Sequence, residues 1–256
     1  MSGDLYKKEV MQVMAEMKAQ HCIDVSLAPI IDLDYNERSY FYRQHDKDGE
    51  PLSDPKLMAE QINRYVQATK THGISVTLKH YPFSSFKVDA TLSKSQRNAI
   101  EKYGKSSEAL SLGNQEVGMR HPLNSDERAA IEDALKPTFQ NLTSRDLIML
   151  ENGISPKSHT SYVASESLTK DPWLRAFPGL FITDDLYQLN LENVDVVRVF
   201  INADLYLMSS VEDIKYFGQR LSRAIRQNPE LIQVLNNKVE RVLMLYPIKQ
   251  TNNNKG

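Results

Sequence analysis

Five short apolar runs constrain this chain more than any other feature. They are "CIDVSLAPIIDL" from Cys22, "GISVTLKH" from Gly73, "DLIMLEN" from Asp146, "GLFITDD" from Gly179 and "ADLYLMSS" from Ala203. Each is apolar almost without a break, where a half-buried strand would alternate. Such runs suit strands covered on both faces, as in a parallel sheet flanked by helices. Each also ends on polar residues: Asp32 and Asp34, Lys79 and His80, Glu151 and Asn152, Asp184 and Asp185, Ser209 and Ser210. Parallel α/β proteins, and barrels above all, build their sites at the C-terminal ends of strands. Lys79, His80, Asn152, Asp184 and Asp185 are therefore expected on one rim of one sheet.

Helical patterns lie between the runs. Val10, Val13, Met14 and Met17 recur at helical spacing, as do Met58, Ile62, Tyr65 and Val66. The second helix opens with Asp54 at the N-cap and Pro55 behind it, and stops before Gly73. Asp171-Pro172 opens a short helix carrying Trp173 and Leu174. "SSVEDIKYFGQRLSRAIRQ" is expected to turn Ile214, Phe217, Leu221 and Ile225 inward, and "PELIQVLNNKVERVLMLY" closes the chain in the same way. All these stripes read as core. Strand alternating with helix predicts an α/β fold in one domain over residues 1–248, followed by a disordered polar tail at 249–256.

Composition removes several function classes. The net charge of -2, with acids and bases interleaved, argues against nucleic acid as a partner. The single cysteine, Cys22, excludes an internal disulfide, fits a reducing compartment and reads as a small buried hydrophobe. No apolar run approaches the ~18 residues of a membrane span. "MSGDLYKKEV" lacks the apolar core of a signal peptide, so a cytoplasmic location is expected. The six histidines show no metal-ligand spacing, and no glycine-rich phosphate loop is present, so neither metal nor cofactor is implied.

"FITDDLYQL" places two carboxylates just beyond a buried run. Neighbours in an extended chain point to opposite sides. One of Asp184 and Asp185 then faces the site while the other supports it, or caps the next helix. A carboxylate here suits a nucleophile, a metal ligand or a general base. Lys79 and His80 suit hydrogen bonding to hydroxyls or anionic groups of a small polar ligand.

Taken in order, these segments resemble glycoside hydrolase family 3, in particular the single-domain bacterial β-N-acetylhexosaminidases. "IDVSLAPIIDLD" is similar to the family's "LNFAPVLDID", "SDPKLMAE" to "SDPELVAE" and "GISVTLKHYP" to "GVIATGKHFPG". "DLIMLEN" stands where the family has "AVMVAHI". "LRAFPGLFITDDLYQL" is similar to "LREELGFDGLVVTDDLEM", and "NADLYLMSS" to "AGADLLLMP". The resemblance implies a (β/α) barrel of the triosephosphate isomerase type. It implies retaining hydrolysis of β-N-acetylglucosaminides or related β-glycosides, and a carbohydrate ligand containing N-acetylglucosamine. The family nucleophile falls on Asp184. Its sugar-binding Lys-His pair falls on Lys79 and His80. Its sugar-binding arginine falls on Arg38, or on Arg43 because an insertion blurs the alignment.

The chain departs from the family at three places. The family's acid/base dyad, Asp-x-His, falls on Asp89 and Thr91, so the carboxyl remains as a remnant without its histidine. Threonine does not ionise near neutral pH and cannot take over proton transfer. Asn152 stands where the family commonly has histidine. The family has three further strands before the run at Cys22, so five of eight βα units are expected here. Five units alone leave two open sheet edges and a bare inner face, for which self-association or a partner chain would provide cover. The expected function is thus a glycosidase of this type, with activity impaired at the acid/base step. The alternative is an inactive sugar-binding pseudoenzyme.

Overall fold

A computed structural model of the chain describes residues 12–20, 23–32, 54–82, 84–85, 121–122, 125–153 and 160–245. Cys22, Arg38, Arg43, Asp89, Thr91, the domain boundary at 248 and the tail lie outside the described residues.

Four of the five runs become strands of one parallel sheet: β1 (Val25–Ser26), β2 (Ser75–Tyr81), β5 (Leu147–Leu150) and β6 (Leu180–Thr183), in the order β1-β2-β5-β6. Neighbours in the sheet follow chain order, as in a barrel. A doubly wound sheet would reverse that order. A separate antiparallel ribbon, not expected from the sequence, pairs β3 (Ser84–Ser85) with β4 (His121–Pro122).

The first and fifth runs pair less than their apolar character suggests. Proline interrupts the first, because Pro29 has no N–H to give the ladder. Its carbonyl still accepts from Lys79 N at 3.0 Å. The fifth run meets β6 through one bridge, Ile182 to Leu205. Beyond it, Leu207 N donates to Thr183 Oγ1 at 3.0 Å and Ser209 N to Asp185 Oδ1 at 3.1 Å. Side-chain acceptors thus replace the main-chain carbonyls that a strand would use.

A helical stretch at 12–19 (α1) precedes β1. The other helices are α2 (Pro55–Thr71), α3 (Ser125–Gln140), α4 (Pro172–Ala176), α5 (Val196–Asn202), α6 (Val211–Gln227) and α7 (Glu230–Leu245). Start signals act as their chemistry predicts. Asp54 accepts Lys56 N at 2.8 Å, Asp171 accepts Trp173 N at 2.9 Å, and Gly73 adopts φ 68 behind α2.

The large core packs Val76, Leu78, Ile148 and Leu150 with Met58, Ile62 and Val66 of α2 and Ile131 and Leu135 of α3. On the alternate strand positions, Leu147, Met149, Leu180 and Ile182 form a second cluster. Val242 and Leu245 of α7 pack against it. The expected bare inner face is therefore not found at these residues, because the last helix lies on them. A buried carboxylate pins this arrangement. Asp204, whose side chain is fully buried, accepts from Lys238 at 3.4 Å and Arg241 at 3.2 Å. Burial pushes the Lys238 ammonium down, against the pull of Asp204.

Some helical stripes are not core. Val13, Met17 and Ile214 are exposed, while Phe217 alone of its stripe is fully buried. Ile232, Leu235, Val239 and Leu243 of α7 are also exposed. No helix among the described residues is long and apolar enough to cross a membrane.

Gly179 leads into β6 where the chain passes Asp146. A Cβ there would overlap the Asp146 carbonyl oxygen and lie 2.6 Å from the Phe177 ring. Gly179→Ala is expected to cost about 1–3 kcal/mol, because backbone must shift to admit the methyl group. A urea midpoint equal to that of the parent chain would contradict this.

Candidate functional site

The strand ends gather as the run pattern predicts. Crossing the sheet, the first run ends at Asp32, β2 at Lys79, His80 and Tyr81, β5 is followed by Glu151 and Asn152, and β6 by Asp184 and Asp185. Ladder bonds continue to this rim: Ile31 N to Lys79 O at 2.5 Å, Glu151 N to Tyr81 O at 2.8 Å and Asp184 N to Leu150 O at 2.9 Å. The backbone at Lys79, Glu151 and Asp184 is thereby tied to the neighbouring strand.

The register of β2 slips at His80. Lys79 pairs with Met149 and Tyr81 with Leu150, so His80 is the extra residue of a bulge. The Lys79–His80 peptide is cis. Tyr81, beyond the bulge, is buried and its hydroxyl accepts from Arg128 at 2.7 Å. Burial pushes the Tyr81 phenol far up, so it stays protonated. Arg128 also reaches Asp171 and Glu132, each at 2.6 Å. This clamp ties the end of β2 to α3 and to the start of α4.

His80 lies between two carboxylates. Its Nδ1 is 2.7 Å from Asp32 Oδ2, and its backbone N–H donates to the same oxygen at 3.3 Å. Its Nε2 is 3.7 Å from Asp184 Oδ2. That separation suits an ion pair to a protonated ring but exceeds a direct hydrogen bond. The Asp184 side chain keeps 17% of its surface exposed, against 5% for His80. Asp184 Oδ1 accepts Asp185 N at 2.8 Å, which leaves Oδ2 as the oxygen toward His80.

The two adjacent aspartates divide their roles. Asp185 caps the short turn at Leu186–Gln188 by accepting Tyr187 N at 3.0 Å, besides holding Ser209 N. Asn152 is buried, and its amide donates to Asp185 O at 2.7 Å. It thus braces the segment that carries Asp184. Lys79 sits on the alternate strand positions with Met149, at the upper end of the second cluster.

The structure brings Lys79, His80, Asn152, Asp184 and Asp185 to one rim; Arg38 and Asp89 lie outside the described residues. Sequence reasoning noted Asp32 as the end of a run but gave it no place in the site. Only its partner, 48 residues away, reveals one. No cluster of three or more histidine, cysteine or carboxylate groups fit to hold a metal ion occurs among the described residues.

No family model matches the sequence, and no curated protein matches it. Solved structures do share its fold. A glycosyl hydrolase of family 3 from Mycobacterium smegmatis str. MC2 155 matches over 93% of this chain and 70% of its own, with TM-score 0.62 and 15% identity. A family 3 β-N-acetylglucosaminidase from Paenibacillus sp. str. FPU-7 matches over 94% of this chain and 43% of its own, with TM-score 0.64 and 16% identity. A β-N-acetylglucosaminidase from Thermotoga maritima matches over 94% of this chain and 46% of its own, with TM-score 0.55 and 16% identity. The chain thus spans less than half the length of two of these three proteins. At such identities the likeness is one of fold, and function must be argued from the site.

Proposed function

We propose that this chain binds a β-N-acetylglucosaminide or a related β-glycoside and hydrolyses it with retention, Asp184 serving as nucleophile. The observation that carries the reading is Asp184 itself, a part-exposed carboxylate at a strand end, with one oxygen turned to a buried histidine, in a fold shared with family 3 glycosidases. In the first step an Asp184 oxygen attacks the anomeric carbon. The bond to the aglycone breaks, its electron pair leaves on the aglycone oxygen, and that oxygen takes up a proton. In the second step water attacks the same carbon, displaces Asp184 and gives up its own proton. Lys79 and His80 hold the sugar hydroxyls, with Arg38 as a third contact. The proton in each step falls to Asp89, the remaining carboxyl of the dyad.

Thr91 gives this reaction a recognisable signature. A 4-nitrophenolate leaves without a proton, whereas a sugar or an alcohol does not. Weak acid help should cost little with 4-nitrophenyl N-acetyl-β-glucosaminide and about 10²–10⁴-fold with an alkyl glycoside. Equal rates on both would show an intact proton donor. The test of the reading itself is release of 4-nitrophenol by the chain.

Thr91 also favours a second reading, a sugar-binding protein without turnover. Calorimetry with N-acetylglucosamine separates the two. Heat of binding with no release of 4-nitrophenol supports the second, and no binding removes both.

A further inference from the structure

Helix α7 carries a row of aliphatic side chains that its own chain leaves partly in water. Ile232, Leu235, Val239 and Leu243 are each 36–47% exposed. At 3.6 residues per turn they fall on one stripe about 80° wide that runs most of the length of the helix. Aliphatic residues exposed singly are ordinary, whereas a contiguous exposed row marks a contact surface. Val242 and Leu245 anchor the same helix to the second cluster, and Lys238 and Arg241 anchor it to Asp204. The row is therefore presented on a helix already fixed to the body of the chain.

We propose that this stripe is the interface of a homodimer in which the α7 helices of two copies pack antiparallel about a two-fold axis. The inference concerns a surface of α7, not the strand-end rim, and does not rest on the glycosidase reading. A two-fold contact presents the same patch on both sides, so the patch must complement itself. With the axis passing between Asn237 and Lys238, Ile232 of one copy lies level with Leu243 of the other, and Leu235 within one residue of Val239. Aliphatic thus meets aliphatic along the contact. Its polar border is made of Gln233 and Asn236, with Glu240 as the charged member, in keeping with the scarcity of charge at interface cores. The cations Lys238 and Arg241 already serve Asp204. The stripe therefore lacks the basic flank that an anionic membrane or a nucleic acid calls for. A helix of 16 residues spans about 24 Å. Two such helices cover on the order of 1,000 Å² in total, the low end of specific interfaces, which suits a dimer with Kd on the order of 10 µM.

Sedimentation equilibrium of the full chain at about 1–200 µM tests this, with Val239→Glu and Met244→Glu beside the parent. The parent is expected to pass from monomer to dimer across that range. Val239→Glu puts a carboxylate of each copy inside the contact and should weaken association about 10²-fold or more. Because Val239 is exposed, the urea midpoint of the monomer should hardly move. Met244 is 78% exposed and lies about 140° around the helix from Val239, so Met244→Glu should change nothing. The direction of packing is read by cross-linking. A Leu235→Cys chain mixed with a Val239→Cys chain should form disulfide-linked dimers faster than either alone, with the parent, which carries Cys22, as the blank. A parent that stays monomeric throughout overturns the proposal, and so does a dimer that survives Val239→Glu. Fastest cross-linking between like chains overturns the antiparallel arrangement. A monomer that sediments with phosphatidylglycerol vesicles assigns the stripe to a membrane and overturns the proposal too. If Val239→Glu fails to fold, Ile232→Gln takes its place.

Discussion

Asp184→Asn is expected to lower turnover of 4-nitrophenyl N-acetyl-β-glucosaminide on the order of 10⁴-fold or more, the scale on which loss of a nucleophile is felt. The amide has nearly the volume of the carboxylate, so packing against His80 and the N–H of Asp185 should survive. What disappears is an oxygen able to bond to the anomeric carbon. Asp184→Gly carries the argument further, because it opens space on the face from which attack occurs. Azide, a small anion that needs no base, should then enter and restore release of 4-nitrophenol. Its product should be the α-glycosyl azide, since one inversion replaces two. A β product, or a rate indifferent to both substitutions, would remove Asp184 from the mechanism.

The largest effect on stability is expected at Asp146. This buried carboxylate accepts Lys70 Nζ at 2.5 Å, Thr143 N at 2.7 Å, Thr143 Oγ1 at 2.9 Å and Val76 N at 3.1 Å. Its own carbonyl accepts Leu180 N at 3.1 Å. One residue thus joins the starts of β2, β5 and β6 to the end of α2. Asp146→Ala strands a lysine and leaves buried N–H groups without an acceptor. Breaking a buried pair in this way costs about 3–5 kcal/mol, a large part of the ~5–15 kcal/mol that holds a domain folded. Urea denaturation measures it, and a midpoint shift no greater than that of the exposed Asp133→Ala would refute the estimate.

Much of this is legible in the sequence. Continuous apolar runs found the strands because burial on both faces leaves no polar alternation. Asp54, Asp171 and Gly73 marked helix ends because their local chemistry permits little else. The division of work between Asp184 and Asp185 followed from adjacency in an extended chain. Other features depend on what meets what. Periodicity identified the apolar face of α6 but not whether anything covers Ile214. Two N–H groups of the fifth run, those of Leu207 and Ser209, go to the side chains of Thr183 and Asp185, which no propensity records. The pairing of Asp32 with His80 spans two strands and a bulge, and only the register of the sheet brings it about.

The position of α7 changes what the end of this chain is for. Residues near a C-terminus are commonly trimmed without harm. Here Val242 and Leu245 pack against the cluster of Leu147, Met149, Leu180 and Ile182, while Lys238 and Arg241 reach Asp204 and Arg241 reaches the Gly179 carbonyl at 2.6 Å. A chain shortened to Asn228 would uncover part of the second cluster and leave Asp204 with neither cation beside it. α7 thus closes the second cluster and neutralises Asp204.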